Sequence, residues 1–133
     1  LIPFETEAHR PVKATGTSTS DLLHEADATD ASGGTDIYEG LLSALDELPS
    51  ESEASQYTTA IVLMTDGRSN SDHQDEFESA YKSRGRDLPI FSIMFGDADP
   101  SQLKSLATLS NAKVFDGRSG DLAAVFRQAK GFN

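Results

Sequence analysis

The stretch Ala60-Ile-Val-Leu-Met-Thr-Asp-Gly67 decides the fold, because an unbroken apolar run stops there at a hydroxyl, a carboxylate and a glycine. Strands that are buried on both faces have this pattern, and they belong to parallel sheets covered by helices. In open α/β sheets, binding sites lie at the carboxyl ends of the strands. Asp66 follows the strand directly, so the sequence predicts a functional position at this residue.

Strands and helices alternate on both sides of this stretch, with short polar loops between them. Strands are predicted near residues 1–8, 58–65, 88–95 and 113–115, and a weaker edge strand near 10–15. Helices are predicted to begin at Asp21, at the N-cap Thr35, at residue 74, at the N-cap Asp99 (followed by Pro100, with Gln102 completing a capping box) and at Asp121. Residues 50–56 are predicted to be a solvated connection. The alternation predicts one α/β domain over residues 1–133 with a mostly parallel sheet.

The charge balance excludes two classes of partner. With 22 acidic and 11 basic residues, the formal net charge is −11. Nucleic acids and anionic membranes need a basic surface, so neither is expected to bind. An acidic surface is compatible with divalent cations, although most acidic surfaces are only solvated faces.

The chain contains no cysteine, which excludes disulfides, zinc–thiolate sites and thiol catalysis. We find no signal peptide and no apolar run of membrane-spanning length. The chain opens on Leu1-Ile-Pro-Phe4 without a methionine, so a targeting segment, if one exists, is expected outside it.

Two polar stretches are predicted to meet at one edge of the sheet. They are Gly33-Gly-Thr-Asp36, before a helix, and Met64-Thr-Asp-Gly67, after a strand. A hydroxyl and a carboxylate together make a hard oxygen site for Mg²⁺, Mn²⁺ or Ca²⁺. The alternative is structural: the glycines form a turn, Thr35 caps a helix and Asp66 caps a loop. The residues alone leave both interpretations open.

The same stretches resemble the von Willebrand factor A (integrin I-like) domain. The resemblance is carried by Gly33-Gly-Thr-Asp-Ile37, the helix that contains Gly40-Leu-Leu-Ser-Ala-Leu45, and Ile61-Val-Leu-Met-Thr-Asp-Gly67. Pro89-Ile-Phe-Ser-Ile-Met-Phe-Gly96 and Val114-Phe-Asp-Gly117 follow in the order expected of the family.

The resemblance covers about residues 1–130, and the ending Ala124-Val-Phe-Arg-Gln-Ala-Lys-Gly131 is similar to bacterial members. It implies a three-layer αβα fold, with a Rossmann-like, mostly parallel sheet and one antiparallel edge strand. It also implies a protein-interaction or adhesion module without enzymatic activity. An extracytoplasmic or cell-surface location is favoured by the resemblance alone.

In this family, three loops build a metal-ion-dependent adhesion site. The resemblance implies that Thr35 supplies the threonine of the second loop and Asp66 the aspartate of the third. The cation would be Mg²⁺, Mn²⁺ or Ca²⁺, with a water or an acidic side chain of a partner protein in its remaining position. The expected rim around that ligand consists of Gly34, Asp36, Gly67, Arg68 and Ser69.

The first of the three loops, Asp-x-Ser-x-Ser, does not occur in this sequence. The nearest string, Asp30-Ala-Ser-Gly-Gly34, follows no apolar strand, and we reject it. The chain is therefore expected to begin near the family's second strand, with the first strand and its loop before Leu1. Thr35 and Asp66 alone supply too few ligands for the usual shell of about six or more, so we expect weak or no metal binding.

A missing central strand would leave backbone groups of residues 1–8 and 58–65 unpaired, at a cost of about 1–3 kcal/mol each. The two strands could pair directly, or another segment or a second copy (by strand-exchanged self-association) could fill the space. A third alternative, which we favour for the native protein, is that the strand belongs to residues of that protein outside this sequence.

Two other functions stay open at this stage. A Mg²⁺-dependent hydrolase could use Asp66 as a ligand or nucleophile, but it would need further acids and a cation near the phosphate, and only Arg68 is close in sequence. A metal-independent structural interaction domain would bind by surface shape. His9, His24 and His73 share no metal-ligand spacing and are predicted to have surface or capping roles.

Overall fold

The computed structural model describes residues 1–16, 19–30, 32–54, 56–70, 72–84, 87–119, 123–124 and 127. In chain order its elements are α1 (Ser20–Ala28), α2 (Ile37–Asp46), α3 (Glu51–Ala54), β1 (Ile61–Thr65), α4 (Gln74–Ser83), β2 (Ile90–Met94), α5 (Pro100–Leu109), β3 (Val114–Asp116) and a 3₁₀ turn (Gly117–Ser119). None of the helices in these ranges is long and apolar enough to cross a membrane.

The sheet has three parallel strands in the order β1-β2-β3. Ile61 lies opposite Ile90, and the register continues to Thr65 opposite Met94. Two of the strands, β1 and β2, come from the two long apolar runs, as the sequence predicts. Within the described ranges, β1 is an edge of this sheet.

Three helices pack on one face of the sheet. The core there combines apolar residues of α2, α4 and α5, alternate residues of β1 and β2, and two loop residues, Leu88 and Ala98. Its members are Ile37, Tyr38, Leu41, Leu45, Leu63, Phe77, Tyr81, Leu88, Ile90, Met94, Ala98, Leu103 and Leu106. The helical spacing of Leu41 and Leu45 in α2 places both on this face. The α/β fold class predicted from the alternation is therefore confirmed.

The opposite face of the sheet carries a second apolar cluster. Phe91, Ile93 and Phe115 are buried in it, with half-buried Phe95 beside them. The helix predicted from Asp121 lies mostly outside the described residues, of which only 123–124 and 127 are helical in that region. The structure is consistent with a three-layer arrangement, with one helical layer fully described.

Helix α2 is capped one residue later than predicted. Asp36, not Thr35, is the N-cap, and its carboxylate accepts hydrogen bonds from the backbone N–H groups of Tyr38 and Glu39. An aspartate outcompetes threonine as a cap, since its charge also favours the positive end of the helix dipole. Because Asp36 caps the helix, the Thr35 hydroxyl does not act as the cap.

Helix α5 begins as predicted, with Asp99 as N-cap and Pro100 at the first position. The predicted capping box does not form, because Gln102 binds the backbone of Ser69 instead. Helix α3 lies where a connection was predicted. There the Glu53 carboxylate accepts hydrogen bonds from the N–H and hydroxyl of Ser50, and this Ser-x-x-Glu spacing is a capping box that the sequence displays.

The N-terminal residues form no strand, contrary to the predictions for 1–8 and 10–15. They fold back on themselves instead. Leu1 and Val12 exchange two backbone hydrogen bonds, and Phe4 and Ala8 form a single antiparallel bridge. Pro3 and Pro11 have no N–H to donate, so neither stretch can offer a continuous ladder to the sheet. No antiparallel edge strand is present in the described ranges.

Candidate functional site

The two residues predicted to bind a metal lie at neighbouring loops beyond the carboxyl end of β1. Thr35 precedes α2, and Asp66 directly follows β1. A Cβ atom on Gly67 would come within 2.6 Å of Thr35 Oγ1, so the threonine hydroxyl lies directly against the residue after Asp66. The backbone N–H of Asn70 also donates to the Thr35 carbonyl at 3.0 Å. Only glycine at position 67 permits this approach.

Asp66 has a fixed backbone and an exposed side chain. Its carbonyl oxygen accepts a hydrogen bond from the N–H of Asp97 at 2.9 Å. Gly96 turns the chain there with a φ of +43°, and a Cβ on it would lie 2.8 Å from the same carbonyl oxygen. The loop after β2 therefore positions Asp66 while leaving its carboxylate accessible.

The Gly33-Gly34 pair is held by the N-terminal residues. Gly33 has a φ of +74°, and its Cα lies so close to the Glu5 side chain that no Cβ fits. The N–H of Gly34 donates to Thr6 Oγ1 at 3.0 Å, and the N–H of Asp36 donates to the Glu5 carbonyl at 2.6 Å. These contacts fix the backbone on both sides of Thr35.

Asp36 was predicted to belong to the ligand rim, but it is only 1% exposed. Besides capping α2, its carboxylate binds Nδ1 of His73 at 2.7 Å. This hydrogen bond raises the pKa of His73, and the negative charges of Asp36, Glu39 and Glu76 act in the same direction. Asp36 therefore faces inward and joins α2 to the start of α4.

Ser69 also forms hydrogen bonds that connect its loop to α2 and α5. Its hydroxyl accepts a hydrogen bond from the N–H of Ile37 at 2.9 Å and donates to the Asn70 carbonyl at 2.7 Å. Gln102 of α5 binds both backbone groups of Ser69, at 3.3 and 2.9 Å. Of the other predicted rim residues, Gly67 is half-buried against Thr35, and Gly34 and Arg68 are exposed.

Sequence reasoning missed the roles of His73 and Gln102. His73 lies 37 residues from Asp36, and Gln102 lies 33 residues from Ser69. Neither pair has a local spacing that would have revealed it. For His73, the sequence indicates only a position just before a predicted helix, which predicts a capping role and not a contact with Asp36.

The side chains at this edge are of the type that binds a divalent cation, but there are too few of them to complete its coordination shell. A hydroxyl and a carboxylate are hard oxygen ligands, but Mg²⁺ and Ca²⁺ take about six or more. Within the described ranges, no three or more His, Asp or Glu residues are grouped so as to hold a metal. The Asp116 carboxylate at the end of β3 is bound to Arg118, whose hydrogen bonds lower its pKa to about 2. Thr35 and Asp66 could thus supply part of a coordination shell.

Comparison with protein families matches residues 1–128 to the von Willebrand factor type A domain. Comparison with curated proteins found no match, and neither did comparison with solved structures. The family match spans nearly the whole chain and agrees with the parallel sheet and its helices. The chain therefore belongs to the von Willebrand factor type A domain family, whose members generally mediate protein–protein interaction.

Proposed function

We propose that this domain binds a partner protein through a divalent cation held by Thr35 and Asp66 at the carboxyl edge of the sheet. The observation that supports it is the contact between the Thr35 hydroxyl and Gly67, beside the exposed Asp66 carboxylate. Mg²⁺ is the proposed cation, with Mn²⁺ and Ca²⁺ as chemical alternatives. Water and an acidic side chain of the partner would take positions that the protein leaves open.

Hydrogen bonds between neighbouring elements hold the loops around the proposed site in the absence of a ligand. Ser69 and Asn70 form hydrogen bonds with the residues at the start of α2. The side chain of Gln102 in α5 donates to the Ser69 carbonyl, and the N–H of Asp97 donates to the Asp66 carbonyl. A pre-organised site loses less conformational entropy on binding. The net charge of −11 would also raise the local concentration of cations. With only two side-chain donors from these loops, we expect weak affinity for the cation alone.

We propose a binding role rather than a catalytic one. A Mg²⁺-dependent hydrolase that uses Asp66 would need further acids beside it. In the part of the chain that the structure describes, no group of three or more His, Asp or Glu residues that could hold a metal includes Asp66. Arg68, two residues after Asp66, is exposed, and we propose that it contacts the partner's acidic side chain.

The proposal is tested by titrating Mn²⁺ into isotope-labelled protein and recording amide signals by NMR, because paramagnetic broadening reports weak binding. We expect selective broadening at Thr35, Asp66 and Gly67, reversed by chelator. Asp66→Ala should remove the selectivity, whereas Asp72→Ala, which deletes another exposed carboxylate of the same loop, should retain it. Equal broadening in wild type and Asp66→Ala would refute the assignment of the cation to this site.

A further inference from the structure

The loop that carries Thr35 lies against the N-terminal residues. The backbone N–H of Asp36 donates to the Glu5 carbonyl at 2.6 Å, and the N–H of Gly34 donates to Thr6 Oγ1 at 3.0 Å. These hydrogen bonds lie on both sides of Thr35 and hold the backbone of Glu5 beside it. Glu5 therefore adjoins the proposed threonine ligand, although it is far from it in sequence.

The Glu5 carboxylate extends along the same loop. One of its oxygen atoms occupies the space in which a Cβ atom on Gly33 would lie. Gly33 has a φ of +74°, which favours glycine at this position in any case. Because glycine has no side chain, the carboxylate can approach the backbone of the loop just before Thr35.

This carboxylate has few other contacts. Its charged neighbour is His9, whose Nε2 lies 3.9 Å from a carboxylate oxygen, which is beyond hydrogen-bond distance. Both side chains are partly exposed, so the ion pair contributes little. Among the described residues, no hydrogen bond to the Glu5 carboxylate is found. Its oxygen atoms are therefore available to a cation.

The position of Glu5 matches what the proposed site lacks. Glu5, Thr35 and Asp66 line one cavity at the carboxyl end of β1, and no Lys or Arg is among its described lining residues. A glutamate is a hard oxygen ligand that can coordinate through one or both oxygen atoms. With Glu5, the protein would supply a hydroxyl and two carboxylates, whose charges balance that of a divalent cation.

We propose that Glu5 is a third protein ligand of the divalent cation, together with Thr35 and Asp66. This inference rests on the proposed function, because it requires the cation at Thr35 and Asp66. It adds a ligand from the N-terminal residues, outside the loops from which the family resemblance implies ligands. Water and the partner's acidic side chain keep the remaining positions.

The direct test follows side-chain carboxyl carbon signals by NMR while MgCl₂ is added to isotope-labelled wild-type protein at constant ionic strength. The signal of a carboxyl group shifts when its oxygen atoms bind a cation. We expect the Glu5 and Asp66 signals to shift with the same midpoint. The signal of Glu7, which is exposed and does not line the cavity, should stay unchanged.

Two variants form a matched pair, since Glu5→Gln and Glu7→Gln each remove one negative charge from the N-terminal residues. Glu5→Gln keeps the side-chain size and the carbonyl that accepts from Asp36. It should raise the Mg²⁺ midpoint of the Asp66 signal by about tenfold or more, as expected for the loss of a charged ligand. Glu7→Gln should change that midpoint by less than about twofold, because its charge is exposed and screened.

The inference is overturned if the Asp66 signal shifts while the Glu5 signal does not, or if the two variants raise the midpoint equally. Either result leaves the proposed function in place, because Asp66 still responds to the cation. If neither carboxyl signal shifts, the cation does not bind at this edge, and the proposed function fails together with the inference. The carboxyl signals are measured on wild type, so this decision does not depend on the folding of a variant.

Discussion

Ser92 and Ser110 are both buried serines, and they differ in how their hydroxyl groups are satisfied. Ser110 Oγ donates to the Leu106 carbonyl at 2.8 Å and accepts the N–H of Ile90 at 3.2 Å. Ser92 Oγ is fully buried in β2 and has no hydrogen-bond partner among the described residues. A buried hydroxyl without a partner has lost its hydration and gained nothing in return.

Replacing each serine by alanine should therefore shift stability in opposite directions. Ser92→Ala removes an unsatisfied polar atom and should raise the free energy of unfolding by about 1 kcal/mol. Ser110→Ala leaves the N–H of Ile90 without its acceptor and should lower it by about 1–3 kcal/mol. Denaturant unfolding monitored by circular dichroism measures both. A loss of stability in Ser92→Ala would mean that its hydroxyl has a partner beyond the described contacts.

At the scale of elements, the His73–Asp36 contact joins the N-terminus of α4 to that of α2. The hydrogen bond to Asp36 raises the pKa of His73 above its ordinary value of 6.5. A raised folded-state pKa means that protonated His73 stabilises the fold fully below the unfolded pKa. That contribution is lost as the pH rises through the folded-state pKa.

We therefore expect wild-type stability to fall as the pH rises above 6.5, the ordinary pKa of histidine, where few other side chains titrate. His73→Gln should remove most of this decline. His24→Gln, on the exposed surface of α1, is the matched control and should leave it in place. Thermal unfolding across this pH range provides the measurement, and parallel pH profiles for wild type and His73→Gln would contradict the predicted coupling.

The elements also show what local sequence can and cannot predict. The strands at 61–65 and 90–94 were predictable, because long apolar runs fit few other structures. Asp99-Pro100 predicted a helix start for the same local reason. The N-terminal strands predicted near 1–8 and 10–15 do not form, because Pro3 and Pro11 have no N–H to donate to a continuous ladder.

The candidate site was only partly predictable at the scale of the whole molecule. Topology alone brings Thr35 and Asp66 to one edge, since loops before helices and after parallel strands meet there. A polar side chain at this edge is buried where other groups of the protein satisfy its hydrogen bonds, and it faces the solvent where they do not. Asp36 has two helical N–H groups and His73 as partners, so it is buried. Among the described residues, the hydrogen bonds of Asp66 involve only its backbone, and its side chain stays exposed.

The net charge of −11 affects every measurement of cation binding to this domain. Repulsion among excess carboxylates destabilises the compact state, and any salt screens it. We therefore expect NaCl to raise the melting temperature of wild type and Asp66→Ala equally. At matched ionic strength, MgCl₂ should stabilise wild type further, by an amount that grows with the logarithm of its concentration once the site fills.

The difference between the two salts separates specific binding from screening. In Asp66→Ala, MgCl₂ should stabilise more than NaCl of equal ionic strength only through the stronger screening by a divalent ion. Asp72→Ala, which keeps the site, should show the same excess stabilisation as wild type. Differential scanning calorimetry on the three proteins in both salts provides the comparison. If the excess stabilisation by MgCl₂ were the same in all three, the acidic surface as a whole would bind the cation, and Thr35 and Asp66 would have no special part in it.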